Sequence, residues 1–299
     1  MANWYAQLTS QNFNAPQQWN SLPNGTGVWL DTVVTDFSND TFYSNGKIVV
    51  ITNNLTCAKL KQDSNFFRFE GTGLVLNADI EVDTMLSSID IQPNSNITLI
   101  GNLIATGTEN GAICMYQDNS SLNIYGDIIC TGDNSIGVML TSGDVVVNVF
   151  NGVLTAGGEY SVCLVSSMYG ASISISNCTL MGGTSYNSNA IRLEDGTCSI
   201  EYSTLIAGEG FFCEAVQSLA FPVVLNACNL VGSEFSMPVT GSMICTPEPH
   251  NYYEIWGNPN PSILALIPDA ANLRKAVVCG NVVGTLAAAS PFRRLNRLV

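Results

Sequence analysis

The chain has 299 residues, 46% of them hydrophobic and only 11% charged, with a formal net charge of −14. Such a composition is not that of a disordered chain, and its acidic balance argues against general nucleic-acid binding. No uninterrupted apolar run approaches the ~20 residues of a membrane helix, so membrane insertion is not expected.

Residues 1–5 carry neither a basic n-region nor an apolar h-region, so no secretory signal is expected. Residues 1–45 are dense in aromatics: Trp4, Tyr5, Trp19, Trp29, Phe37, Phe42 and Tyr43, with a turn signal at Pro23, Asn24 and Gly25. Two readings fit and are compatible. The segment caps an open end, or it is an aromatic assembly surface carrying Trp4, Tyr5, Trp19 and Trp29.

From Lys47 onward short apolar runs begin to repeat, and three ladders share one period. Gly107, Gly132, Gly157, Gly182, Gly208 and Gly232 follow one another at 25, 25, 25, 26 and 24 residues. Leu99, Ile124, Val149, Ile175, Ile200 and Leu225 step by 25, 25, 26, 25 and 25. Ile89, Ile113, Val138, Val162, Ile191 and Val216 step by 24, 25, 24, 29 and 25, with the excess read as a polar bulge at 184–189.

Within each repeat apolar and polar residues alternate, as in Leu122, Asn123, Ile124 and in Ile173, Ser174, Ile175. Period two gives a strand with one buried face, whereas a helical repeat would space its apolar residues three and four apart. Leucine-rich repeats are disfavoured because their leucine–asparagine consensus is missing. The expected fold is all-β: a single-stranded parallel β-helix with ~25-residue coils. Two or three strands per coil and eight or nine coils are expected. Right-handed winding is expected from the general preference of β crossovers.

Ten cysteines are present, seven of them (Cys114, Cys130, Cys163, Cys178, Cys198, Cys213 and Cys228) inside the repeats. Without a CxxC pair, and with one histidine in the chain, they read as reduced, buried thilols of a cytoplasmically made protein rather than disulfides or a zinc site. Six Asn-x-Ser/Thr triplets, the first at Asn24, follow from composition alone.

Carboxylates recur after the repeating glycine at Glu109, Asp133, Glu159, Glu209 and Glu234. Stacked coils would place them in a row able to supply a glycosidase pair or a Ca²⁺ site. No lysine or arginine stands among them, and solvated turns are the favoured reading. Asp118, Asp144, Glu194 and Asp195 form a second such series, and His250 reads as a polar linker residue. No catalytic residue, metal site or cofactor is assigned.

The pattern dissolves after Gly241, and Pro247, Pro249, Pro259, Pro261 and Pro268 mark an extended linker over 246–268. A short helix is expected over 270–278, with Asp269 as N-cap. Residues 270–299 hold no acid and five cations, Arg274, Lys275, Arg293, Arg294 and Arg297, which read as an arm docking onto an acidic protein surface. The resulting division is a capping or docking segment at 1–45, the β-helix at 46–243, and linker plus basic arm at 244–299.

Within this arm, Asn272, Leu273, Arg274, Lys275, Ala276, Val277, Val278, Cys279, Gly280 and Asn281 are followed by Gly284, Thr285 and Leu286. The stretch resembles a cassette near the C-termini of tailed-phage structural proteins, roughly Asn-Val-Arg-x-Gly-Val-x-Tyr-Gly-Asn and then Gly-Thr-Leu. Ala276 stands where the pattern has glycine, and Cys279 where it has tyrosine.

The resemblance, which covers about 15 residues, implies a virion component: a spike, tail fibre or capsid decoration assembled in the host cytoplasm. By analogy with virion β-helices, the expected partners are sister subunits in a trimer, other capsid or tail proteins, and a host surface glycan. The alternatives are a glycan-degrading tailspike and a bacterial surface adhesin.

Overall fold

A computed structural model describes residues 2–8, 11–14, 17–30, 37–63, 67–83, 89–107, 110–115, 118–167, 169–206, 208–209, 213–218, 223–231, 234–235, 239–245, 254–255, 278–279 and 282–283. Among them there is no helix, and every regular element is a strand. Each regular turn carries three strands. One turn contributes Ser121–Tyr125, Ile128–Cys130 and Ser135–Leu140; the next contributes Val146–Phe150, Val153–Ala156 and Val162–Ser166.

Like strands stack in parallel, so the turns build three columns of a β-solenoid. The first column runs from Thr72–Val82 through Asn96–Ile100, Ser121–Tyr125, Val146–Phe150, Ser172–Ser176 and Thr197–Glu201 to Val223–Val231, about six turns. The second column holds Leu103–Ala105, Ile128–Cys130, Val153–Ala156, Thr179–Met181 and Thr204–Ile206. The third is a nine-stranded sheet from Gln11–Asn12 to Val216–Ser218.

The core is the stack of inward side chains. Leu99, Ile124, Val149, Ile175, Ile200 and Leu225 pair in register down the first column, each without exposed surface. Each buried aliphatic contributes roughly 1.5–3 kcal/mol, against about 1–2 kcal/mol for ordering each residue's backbone. One coil alone therefore cannot stand, and stability comes from stacking on its neighbours.

The third ladder needs a correction: Val138 pairs with Leu164, and Leu164 with Ile191, while Val162 pairs with Ile136 and Asn189. The steps become 24, 25, 26, 27 and 25, so the bulge at 184–189 adds two residues rather than four. Val162, Cys163, Leu164, Val165 and Ser166 are all buried, and alternation could not separate the inward set from the outward one.

The glycine ladder also shifts by one at a doublet. A Cβ on Gly158 would lie 2.1 Å from the Gly132 carbonyl oxygen, whereas on Gly157 the nearest atom is the Cys130 oxygen at 3.6 Å. Gly158 is therefore the position where two rungs close on each other's backbone.

The parallel ladder begins before residue 46. Phe37–Tyr43 pairs in parallel with Leu55–Gln62, Asn3–Ala6 with Phe37–Tyr43, and Gln11–Asn12 with Val49–Ile51. It also runs past 243, since Val239–Cys245 pairs with Val223–Val231. In the expected linker, Glu254–Ile255 pairs with Glu234–Phe235. Val278, placed at the end of an expected helix, instead lies in Val278–Cys279, an antiparallel partner of Val282–Val283 across Gly280 and Asn281. A two-residue Gly-Asn connection is a hairpin signal.

Candidate functional site

The aromatic N-terminal residues divide by burial. Trp19 has no exposed surface; its Nε1–H donates to the Phe13 carbonyl oxygen at 2.8 Å. Its ring sits 4.9 Å from Phe13 and 4.8 Å from Phe42, and Phe37 closes the cluster 5.5 Å from Phe42. These rings plug the first rungs, so Trp19 belongs to the cap and not to an outer surface. Trp4 is half-buried, with Nε1–H donating to Asp40 Oδ2 at 3.1 Å, and Tyr5 stacks on Tyr43 at 4.6 Å. Trp29 is 42% exposed, bridges to Asn20, and is the most exposed of the four.

Arg274, Lys275, Arg293, Arg294, Arg297 and His250 lie outside the described residues, as do Glu109 and the side chain of Glu234. Asp133, Glu159 and Glu209 are exposed turn residues, as are Asp118, Asp144 and Glu194, while Asp195 is half-buried. Asp133 and Glu159 occupy successive rungs: the Glu159 backbone N–H donates to Asp133 Oδ1 at 3.0 Å. One rung is ~4.8 Å, close to the ~5 Å between the carboxyls of a retaining glycosidase. One oxygen of that pair is already committed to the backbone. At the next rung Thr184 follows Gly183, so the acidic row is broken before Glu209. Among the described residues, no three histidine, cysteine, aspartate or glutamate side chains cluster as a metal site.

Other polar side chains stitch rungs together, a role the sequence reading did not assign. The backbone N–H of Asn102 donates to Asp79 Oδ1 at 2.8 Å, that of Asp127 to Asn102 Oδ1 at 3.0 Å, and that of Val153 to Asp127 Oδ1 at 2.8 Å. One Asx side chain per turn thus accepts from the corner of the next, satisfying amides the ladder leaves free. The near-25-residue spacing of Asp79, Asn102 and Asp127 is the signal that could have found this row.

Charge concentrates near the start of the solenoid. Glu81 accepts from Lys59 and, at 2.6 Å, from Lys61, and Arg68 lies 3.8 Å from Asp90. Burial pulls the Glu81 pKa upward, but the two ammonium hydrogen bonds outweigh it and the net shift is downward. A lowered carboxylate pKa stabilises the fold above the unfolded value of about 4.3 and loses that contribution as pH falls through the folded value. We expect Glu81→Gln to melt below the parent at pH 7, by about 1 kcal/mol. The two curves should converge on acidification through that window; a gap constant down to pH 2 would refute the clamp. Asp90 moves oppositely, because burial raises its pKa despite Arg68.

The seven cysteines whose side chains are described, Cys57, Cys130, Cys163, Cys178, Cys198, Cys213 and Cys228, are buried thiols. Burial pushes Cys57 and Cys198 up to about 12 and raises Cys163 and Cys178, leaving little thiolate to react. A thiol titration of the native chain at pH 8 should therefore count at most three of the ten cysteines, and all ten after denaturation. Mass-spectrometric labelling of any of those seven without denaturant would contradict this.

Compared with known proteins, the chain matches no family model, no curated protein and no solved structure. The β-solenoid therefore rests on its own geometry: three columns of parallel strands around one stacked aliphatic core.

Proposed function

We propose that the chain is a non-enzymatic structural component of a tailed-phage particle: a spike, tail fibre or capsid decoration that self-associates and joins other particle proteins through its termini. The observation that carries this reading is the cassette at 272–286, placed after a β-solenoid. The solenoid supplies what such a part needs. Its strand amides are spent on neighbouring turns, the seven thiols described are buried, and a plug of four rings closes the N-terminal rungs. These features resist thiol oxidation, proteolysis and edge-to-edge aggregation.

The test is deletion of residues 270–299 in the phage. A soluble, β-rich truncated protein that fails to enter the particle supports the reading, and unchanged incorporation removes the arm's role. A second reading, a glycan-degrading tailspike, draws on the one-rung spacing of Asp133 and Glu159. It requires release of reducing ends from a host polysaccharide and a loss of at least 100-fold on Glu159→Gln.

A further inference from the structure

Three outer surfaces follow from the three columns, and they differ in chemistry. The central outward row of the first column is polar: Thr98, Asn123, Asn148, Ser174 and Ser199 pair in register, and Asn148 Nδ2–H donates to Asn123 Oδ1 at 2.8 Å; the row at its edge is apolar over three rungs, Ile100, Tyr125 and Phe150, and then turns polar at Ser176 and Glu201. The third column carries Arg68, Asp90, Arg192 and Gln217 in its outward row, with apolar Met139 and Val165 between Asp90 and Arg192. The second column carries a longer, largely apolar row. Ile104, Ile129, Thr155, Met181 and Ile206 pair in register over five successive rungs, each half-buried and pointing away from a fully buried inner row.

We propose that this second-column face is the surface through which two copies of the chain pack side by side. Outward residues that are apolar at four of the five rungs, over ~20 Å at the strand spacing, make a patch of the kind that marks an interface. Two physical arguments identify the occupant as a second copy. The first is period. A row of side chains repeating every ~4.8 Å along five rungs is matched, ridge into gap, by another solenoid of the same rise, and a second copy has that rise by construction.

The second argument is charge. Between residues 69 and 191 the chain has eleven acidic residues and no basic one, so like bodies repel on most approaches. The five strands of this face contain no charged residue at all. The acids stand at its borders: Asp127 at the corner before it, Asp133, Glu159 and Glu209 in the turns after it. Approach along this face therefore buries apolar surface while the carboxylates stay at a wet rim, where salt screens them.

The inference deepens the self-association in the proposed function and does not depend on a virion. The experiment is analytical ultracentrifugation of the full chain, with circular dichroism on every variant. The parent should sediment as a multiple of one chain mass. Ile129→Lys with Met181→Lys should sediment as a single chain, its self-association weakened at least 100-fold. The paired control Asn148→Lys with Ser174→Lys, on the polar row of the first column, should keep the parent's mass. Where the lysine pair fails to fold, Ile129→Ser with Met181→Ser is read instead, with the same expected loss.

A multimer that survives the second-column variants overturns this face, as does equal dissociation of the control. A parent that is monomeric at every concentration and salt overturns the self-association itself. A parent multimer that responds as expected but never enters the particle supports this face and removes only the virion reading.

Discussion

Alanine at position 158 should destabilise the chain by about 3 kcal/mol or more, whereas alanine at position 157 should change stability by less than about 1 kcal/mol. The two glycines are adjacent, and composition and propensity do not distinguish them. Geometry does. A methyl on residue 158 would sit 2.1 Å from the Gly132 oxygen, 2.4 Å from its carbonyl carbon and 2.8 Å from the Asp133 nitrogen.

Those are backbone atoms and cannot rotate aside. The rungs would have to part, breaking the Gly157 N–H to Cys130 carbonyl bond at 2.7 Å and the Glu159 N–H to Asp133 bond at 3.0 Å. A methyl at 157 meets only an ordinary contact at 3.6 Å, and a less flexible unfolded chain offsets any small cost. Thermal and urea melts of the two variants decide the matter. Coincident curves would show that the close backbone approach is misplaced.

Trp19→Ala should cost about 3–5 kcal/mol, the range for removing a large buried aromatic. The indole is fully enclosed, so its loss leaves a cavity between Phe13 and Phe42 and frees the Phe13 carbonyl from its only side-chain donor among the hydrogen bonds described. The damage should be local, because each turn of a solenoid touches only its neighbours. Hydrogen exchange should accelerate over residues 37–62, while Val146–Phe150 and Ser172–Ser176 keep their protection. Equal acceleration in both regions would mean that the chain unfolds as one unit and that the plug has no special role at its end.

The repeat was legible in the sequence because one inward aliphatic per turn repeats with its own kind. Leu99, Ile124 and Val149 have no alternative but the core, and their spacing gives fold and register together. Where both faces of a strand are apolar the signal fails, as at Val162 and Leu164. Where two glycines adjoin, only the neighbouring rung decides which is indispensable. The N-terminal strands escaped the period because aromatic plugging, not aliphatic stacking, sets their positions. The strand at Val278–Cys279 was masked by helix-forming residues before it, although the Gly-Asn pair that follows it in the sequence is itself a hairpin signal. The uncharged outer row of Ile104, Ile129 and Met181 was invisible as a surface until the columns were assembled, since each side chain alone reads as more core.

Register pairing of Ser121–Tyr125 on Val146–Phe150, and of Ile128–Cys130 on Val153–Ala156, means that every coil offers its successor nearly the same docking template it received. The molecule thus has an adjustable ruler built into it. Duplicating one repeat unit lengthens the shaft by about one strand spacing, ~4.8 Å, without asking any other coil to change. Reach can be set by gene duplication alone, while both ends keep their fittings.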